Sequence, residues 1–97
     1  MIAAIIAAAG SGERFGAPIP KALIQLGDKT LIGHAIAHLA PVVDQIVITA
    51  PAGYEDQFRA IAGEGITVVT GGATRSESVR LGLAAVDSAT DFVLVHD

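Results

Sequence analysis

The 97-residue sequence contains no cysteine and no tryptophan, and aromatic side chains make up only 4% of it. Without thiols there can be no disulfide, no cysteine nucleophile and no Cys-ligated zinc. A cysteine-free chain suits a reducing cytoplasm, although it is compatible with any compartment. Charge is sparse too. Six Lys and Arg stand against ten Asp and Glu, a net charge of −4. That excludes the broad basic surface that duplex nucleic acid or an anionic membrane attracts. Gly, Pro or a charge interrupts every apolar stretch before it reaches the roughly 18 residues a membrane span needs. The opening run Met1 to Ala9 lacks a basic flank and leads straight into a glycine-rich segment, so it is not expected to be a signal peptide.

What the chain does have is aliphatic bulk. It is 52% hydrophobic with a mean hydropathy of +0.58, which excludes disorder. Its length suits one small domain. Continuous aliphatic runs without polar alternation are the mark of strands covered on both faces by helices, as in a parallel sheet.

Along the chain such runs alternate with helical patterns. Ile2 to Ala8 reads as a first strand, because the glycines at 10, 12 and 16 stop it at a loop rather than letting its alanines continue as a helix. The loop extends to about Lys29, too long for a plain connection, which suggests a function. A helix is expected over Leu31 to Leu39, with Leu31, Ala35, His38 and Leu39 inward. Gln45 to Thr49 reads as a second strand, Tyr54 to Ala62 as a helix with Phe58, Ile61 and Ala62 inward, and Ile66 to Val69 as a third strand. Thr74-Arg75-Ser76-Glu77 matches a capping box, opening a helix expected to bury Val79, Leu83 and Val86. Phe92 to Val95 is the fourth strand.

The order β-α-β-α-β-α-β demands right-handed crossovers and a parallel sheet. The expected class is α/β, a doubly wound Rossmann-like sheet with strand order 3-2-1-4. Ligand would then bind beyond the carboxyl ends of strands 1 and 4. A fourth strand as apolar as Phe-Val-Leu-Val expects neighbours on both sides. Residues 1–97 are accordingly expected to be the N-terminal portion of a single longer domain.

The loop from Ala8 to Lys21 carries the chemistry. Its glycines let backbone N–H groups approach a polyanion; Arg14 offers a planar fork and Lys21 a point charge for phosphate oxygens. Two cations in a glycine-rich loop of an acidic chain suggest a triphosphate. A P-loop would need Gly-Lys-Ser/Thr, but Gly16 is followed by Ala17 and Pro18. A dinucleotide fingerprint would need a third glycine where Phe15 stands and an acid where Thr49-Ala50 stand.

Ala8-Ala9-Gly10-Ser11-Gly12-Glu13-Arg14-Phe15-Gly16 with Pro20-Lys21 resembles the signature loop of sugar-phosphate nucleotidyltransferases. Gly71-Gly72-Ala73-Thr74-Arg75-Ser76-Glu77-Ser78-Val79 with Gly82-Leu83, and Val93-Leu94-Val95-His96-Asp97, resemble the second and third motifs of one branch. Together they resemble the 2-C-methyl-D-erythritol 4-phosphate cytidylyltransferase family; the ribitol-5-phosphate cytidylyltransferases share much of the pattern. The resemblance implies that Ala8, Ala9, Gly10, Ser11 and Gly12 line CTP, with Arg14 and Lys21 as catalytic cations. It further implies that Gly72, Ala73, Arg75 and Ser78 lie along the cytosine pocket, Ser78 contacting the base, and that Asp97 holds Mg²⁺. Ala73 departs from the family, which often carries a polar residue there, so the contact implied at Ala73 is through its backbone. The implied reaction transfers CMP from CTP to a sugar-alcohol phosphate and releases pyrophosphate. The resemblance also implies a cytoplasmic homodimer without nucleic-acid or membrane partners. A nucleotide-binding module without catalysis is the reading from another class.

His34 and His38 have a spacing that can bind metal, but no third ligand stands nearby and a packing or surface role fits better. His96 is read as structural, pointing away from Asp97. Lys29, Arg59 and Arg80 are read as solvated.

Overall fold

The computed structural model describes residues 1–9 and 20–96. Of the sequence-predicted site residues, Gly10, Ser11, Gly12, Arg14 and Asp97 lie outside these.

Four parallel strands form the central sheet: β1 (Ile2–Ala7), β4 (Gln45–Ala50), β5 (Thr67–Thr70) and β6 (Phe92–His96), in the order β5-β4-β1-β6. This is the expected 3-2-1-4 arrangement. The segment expected as one open loop is more structured than that. It holds a 3-10 turn over Lys21–Leu23 and a small antiparallel hairpin of β2 (Gln25–Leu26) and β3 (Lys29–Thr30). Between the two strands stand Gly27, at φ 70°, and Asp28. Glycine at the first position of a two-residue turn gives the backbone twist that hairpins favour. The hairpin is fastened to the helix that follows: Leu31 N–H donates to the Ile24 carbonyl at 2.9 Å, and His34 Nε2 lies 2.6 Å from the Leu26 carbonyl.

Helices α1 (Leu31–Leu39) and α2 (Glu55–Ala62) cover one face, where Ile6, Ala8, Ile46, Ile48, Ala50 and Val68 pack with Ile32 and Phe58. Thr30 caps α1, its hydroxyl accepting from Gly33 N–H at 3.1 Å. Ile32, Ala35, Ile36 and Leu39 form its inward stripe. His38, expected inward, is exposed, and Ile32 takes the buried position. On α2, Phe58 is fully buried as expected, and Ala62 packs partly buried, but Ile61 stays 38% exposed.

Helix α3 (Arg75–Ala84) covers the opposite face, above Ile5, Val47 and Thr49. Its buried residues are Ser78 and Gly82. Leu83, expected to be buried, is 48% exposed, and Val79 and Val86 are half-buried. The reason is the close seating of the helix. A Cβ on Gly82 would stand 2.8 Å from Ile5 Cγ2 and 3.2 Å from Thr49 Cγ2. Two small residues four apart let the helix backbone approach the sheet, and the larger apolar side chains are left at its flank. Thr49 Oγ1, buried beneath this contact, has no partner among the described residues.

Side-chain contacts fix the start of β1 on both sides. Asp44 accepts from Ile2 N–H at 2.7 Å, and Asp91 pairs with the Met1 ammonium at 2.8 Å. The β6 strand is exposed along its whole length.

Candidate functional site

Because α1 and α3 leave opposite faces, a crevice opens at the carboxyl end of β1, as expected for a doubly wound sheet. On the α3 side it deepens into a cavity of about 280 Å³. Ala7 and Ala9 form one wall, residues 72–75 with Ser78 another, and Lys21 reaches it from the 3-10 turn. Six of the sequence-predicted residues therefore converge: Ala9, Lys21, Gly72, Ala73, Arg75 and Ser78. Ala8 does not join them through its side chain, which is buried in the core under α1.

A larger cavity of about 410 Å³ lies on the other face, between β1 and α1, and is lined mainly by apolar groups with His34, His38 and His96. Lys21 borders this one too. The smaller cavity is the better candidate for an anionic, hydrogen-bonding ligand. Its lining combines main chain stripped of side chains, two cations and a buried hydroxyl at the N-terminus of a ten-residue helix, where the helix dipole favours negative charge.

Gly71 and Gly72 are what let the lining come together. A Cβ on Gly71 would meet Ala9 Cβ at 2.6 Å and Ser78 Oγ at 2.9 Å, so the loops after β1 and β5 touch through its bare Cα. Ser78, only 2% exposed, accepts from Gly72 N–H at 3.0 Å. Its hydroxyl keeps a second lone pair for a ligand. Thr74 caps α3 by accepting from Glu77 N–H at 3.1 Å, the hydroxyl half of the expected capping box. The carboxylate of Glu77 reaches one residue further back, accepting from Ala73 N–H at 3.3 Å.

One step away, Glu55 accepts from Thr70 Oγ1 at 2.6 Å and from Gly53 N–H at 2.8 Å. The Thr70 hydroxyl, more than any other group, holds its carboxyl below the ordinary glutamate range. This pairing ties the turn after β4 to the last residue of β5, immediately before Gly71.

Among the described residues, no three His, Asp or Glu gather as a metal site. His34 is engaged with the Leu26 carbonyl in an exposed contact. Arg59 pairs with Asp56 at 2.9 Å and Lys29 with Asp28 at 3.3 Å, both exposed pairs rather than bare solvated charges.

Comparison with known proteins shows which family the chain belongs to. The family model of IspD, 2-C-methyl-D-erythritol 4-phosphate cytidylyltransferase, matches residues 2–97. The chain belongs to this cytidylyltransferase family. The 2-C-methyl-D-erythritol 4-phosphate cytidylyltransferase of Rhodococcus jostii (strain RHA1) is 41% identical over 98 residues, covering 99% of this chain and 43% of that protein. The bifunctional enzyme IspD/IspF of Rhizorhabdus wittichii is 45% identical over 100 residues, covering 99% of this chain and 26% of the relative. The crystal structure of 4-diphosphocytidyl-2C-methyl-D-erythritol synthase from Anaerococcus prevotii DSM 20548 superposes with a TM-score of 0.82 at 30% identity, over all of this chain and 42% of that one. The chain thus spans less than half the length of these cytidylyltransferase relatives. The comparison establishes the Rossmann-like nucleotidyltransferase fold that the motifs implied.

The sequence reading missed two contributors. Thr74 lines the cavity besides capping α3. Glu77 orders the cavity's main chain as well as the helix end, and the Ser/Thr-x-x-Glu pattern was the signal for it.

Proposed function

We propose that this chain supplies the CTP-binding portion of an enzyme that transfers CMP from CTP to 2-C-methyl-D-erythritol 4-phosphate. The observation that carries the reading is the convergence of Ala9, Lys21, Gly72, Ala73, Arg75 and Ser78 on one cavity in a member of this family. In the proposed reaction a phosphate oxygen of the acceptor attacks the α-phosphorus of CTP in line. The bond from that phosphorus to the bridging oxygen breaks, and pyrophosphate leaves with the electron pair. The acceptor phosphate is mostly dianionic at neutral pH, its second pKa being about 6, so no side chain has to remove a proton.

The obstacle is electrostatic: two anions must meet and then carry added charge. Arg14 and Lys21 would answer it as cations, while Gly10, Ser11 and Gly12 would offer main-chain donors to the phosphates, with Ala8 and Ala9 beside the nucleoside. Gly72, Ala73, Arg75 and Ser78 enclose the base. Asp97 is the residue that would hold Mg²⁺, which commonly takes one or two carboxylates together with substrate phosphates, so a lone aspartate suits it. Bound there, the ion would neutralise triphosphate charge. The chain leads into Asp97 from His96, which pairs with Ile6 beside the end of β1. A homodimer and a cytoplasmic location, where CTP is available, complete the reading.

The test separates binding from turnover. CTP should raise the melting temperature of the 97-residue chain and of a longer protein carrying it, and the longer protein should also release pyrophosphate. Lys21→Ala should slow that release by roughly 10²–10³, the usual cost of losing one preorganised charge-stabilising group. No CTP-dependent shift in either protein would end the proposal; binding without turnover in both would make the chain a nucleotide-binding module.

A further inference from the structure

Two successive N–H groups of the loop over the cavity are consumed by the protein itself. Ser78 Oγ accepts from Gly72 N–H at 3.0 Å, and Glu77 Oε1 accepts from Ala73 N–H at 3.3 Å. The Glu77 side chain also lies directly on the Gly72 main chain. A Cβ on Gly72 would fall 2.4 Å from Glu77 Cγ and closer still to its Oε1. Gly72 has no positive φ, so its lack of a side chain answers to this contact and not to backbone geometry. Glu77 is in turn fixed, its own N–H donating to Thr74 Oγ1 at 3.1 Å. The peptide units at residues 72 and 73 are clamped between two side chains of the first turn of α3.

We infer that Glu77 is a positioning residue that makes the loop select an amino-bearing pyrimidine over a keto-bearing one. The inference rests on the proposed placement of the base against Gly72, Ala73 and Ser78. Cytosine presents an exocyclic amine, a donor, where uracil presents a carbonyl oxygen, an acceptor. With Gly72 N–H and Ala73 N–H both engaged, the main chain at residues 72 and 73 has no N–H left to offer the base. What it offers a base is acceptors: main-chain carbonyls and the remaining lone pair of Ser78. These pair with the cytosine amine and repel the uracil oxygen. Ala73 brings no polar side chain to do the work instead, so the discrimination depends on holding the main chain. Removing the Glu77 acceptor releases Ala73 N–H, a donor that uracil can use.

The experiment compares wild type, Glu77→Gln, Glu77→Ala and Glu77→Met in the intact protein that carries this chain, with CTP and UTP as the probes. Glutamine keeps the Oε1 acceptor and removes the charge, so it should retain both the affinity for CTP and the CTP-to-UTP ratio. Ala and Met cannot accept. Each should weaken CTP binding by up to roughly tenfold, as for the loss of one hydrogen bond, and should lower the CTP-to-UTP ratio, raising KM with kcat little changed. An unchanged ratio in Ala or Met variants that remain folded would overturn the inference. So would failure of both to fold while Gln folds, since Glu77 would then be a folding residue. Loss of discrimination in the Gln variant would overturn it too, by assigning the effect to charge. If wild type binds CTP no better than UTP, the proposed function fails first, and the two failures are distinguishable.

Discussion

At the residue scale the decisive positions are those with the least side chain. Gly71, Gly72 and Gly82 are each close to something a methyl group would strike: the loop after β1, the Glu77 side chain, and the sheet itself. Gly82 gives the clearest test. Replacing a helical glycine with alanine ordinarily gains about 1 kcal/mol. Here the new Cβ would sit 2.8 Å from Cγ2 of Ile5, which is fully buried and branched at the β carbon, so it cannot swing aside. Overpacking of that kind costs about 1–3 kcal/mol. Gly82→Ala should therefore lower the urea midpoint despite its better helix propensity. A raised midpoint would mean that α3 does not lie so close to Ile5 and Thr49.

At the element scale, the strand order was legible because four aliphatic runs separated by helical patterns leave few right-handed solutions. The phase of α3 was not. Periodicity weighs large apolar residues, and it selected Leu83. The structure buries Ser78 and Gly82 instead, since what that face needs is closeness. The β2–β3 hairpin was missed because each strand has only two residues, although Gly27-Asp28 between them is a hairpin signal. Of the site, the pattern residues on the α3 loop were legible from their motif, and the capping-box pattern marked Glu77, but its reach to Ala73, one residue beyond the usual capping-box partner, is not part of that pattern.

A pH test belongs at this scale too, because the Glu55–Thr70 pair joins two elements. The folded carboxyl titrates below its ordinary value of 4.5. The unfolded chain therefore binds the proton more readily, and the pairing adds stability above that value, losing it as pH falls through the lowered one. Thr70→Val removes the largest cause of the shift. Its destabilisation, measured by urea unfolding, should be greatest at neutral pH and should shrink as pH falls through the lowered value, below which the wild-type carboxyl is also protonated. A difference independent of pH would show that the hydroxyl matters only through packing.

For the molecule as a whole, the unusual feature is one bare flank. The sheet is closed on the α1 and α2 face and on the α3 face as far as β1, but β6 stands at an edge with Phe92 69% exposed, Leu94 47% and Val95 41%. Successive side chains of a strand face opposite sides, so Leu94 and Val95 show that both faces of β6 are uncovered. An apolar edge strand with an unpaired row of backbone groups is a template for another strand, and natural sheets normally blunt such edges with charge. Here β6 itself carries no Asp, Glu, Lys or Arg, and Asp91 just before it is engaged with the Met1 ammonium. Studied by itself, the 97-residue chain should self-associate, its light-scattering mass rising with concentration. Leu94→Lys with Val95→Lys places one charge on each face of the strand while leaving its pairing with β1, which runs through main chain, intact. That double variant should hold the monomer mass over the same range and keep its circular dichroism. A wild-type chain that stays monomeric at every concentration would show that the exposed strand is not adhesive, and that burial of β6 is unnecessary for the chain to remain in solution.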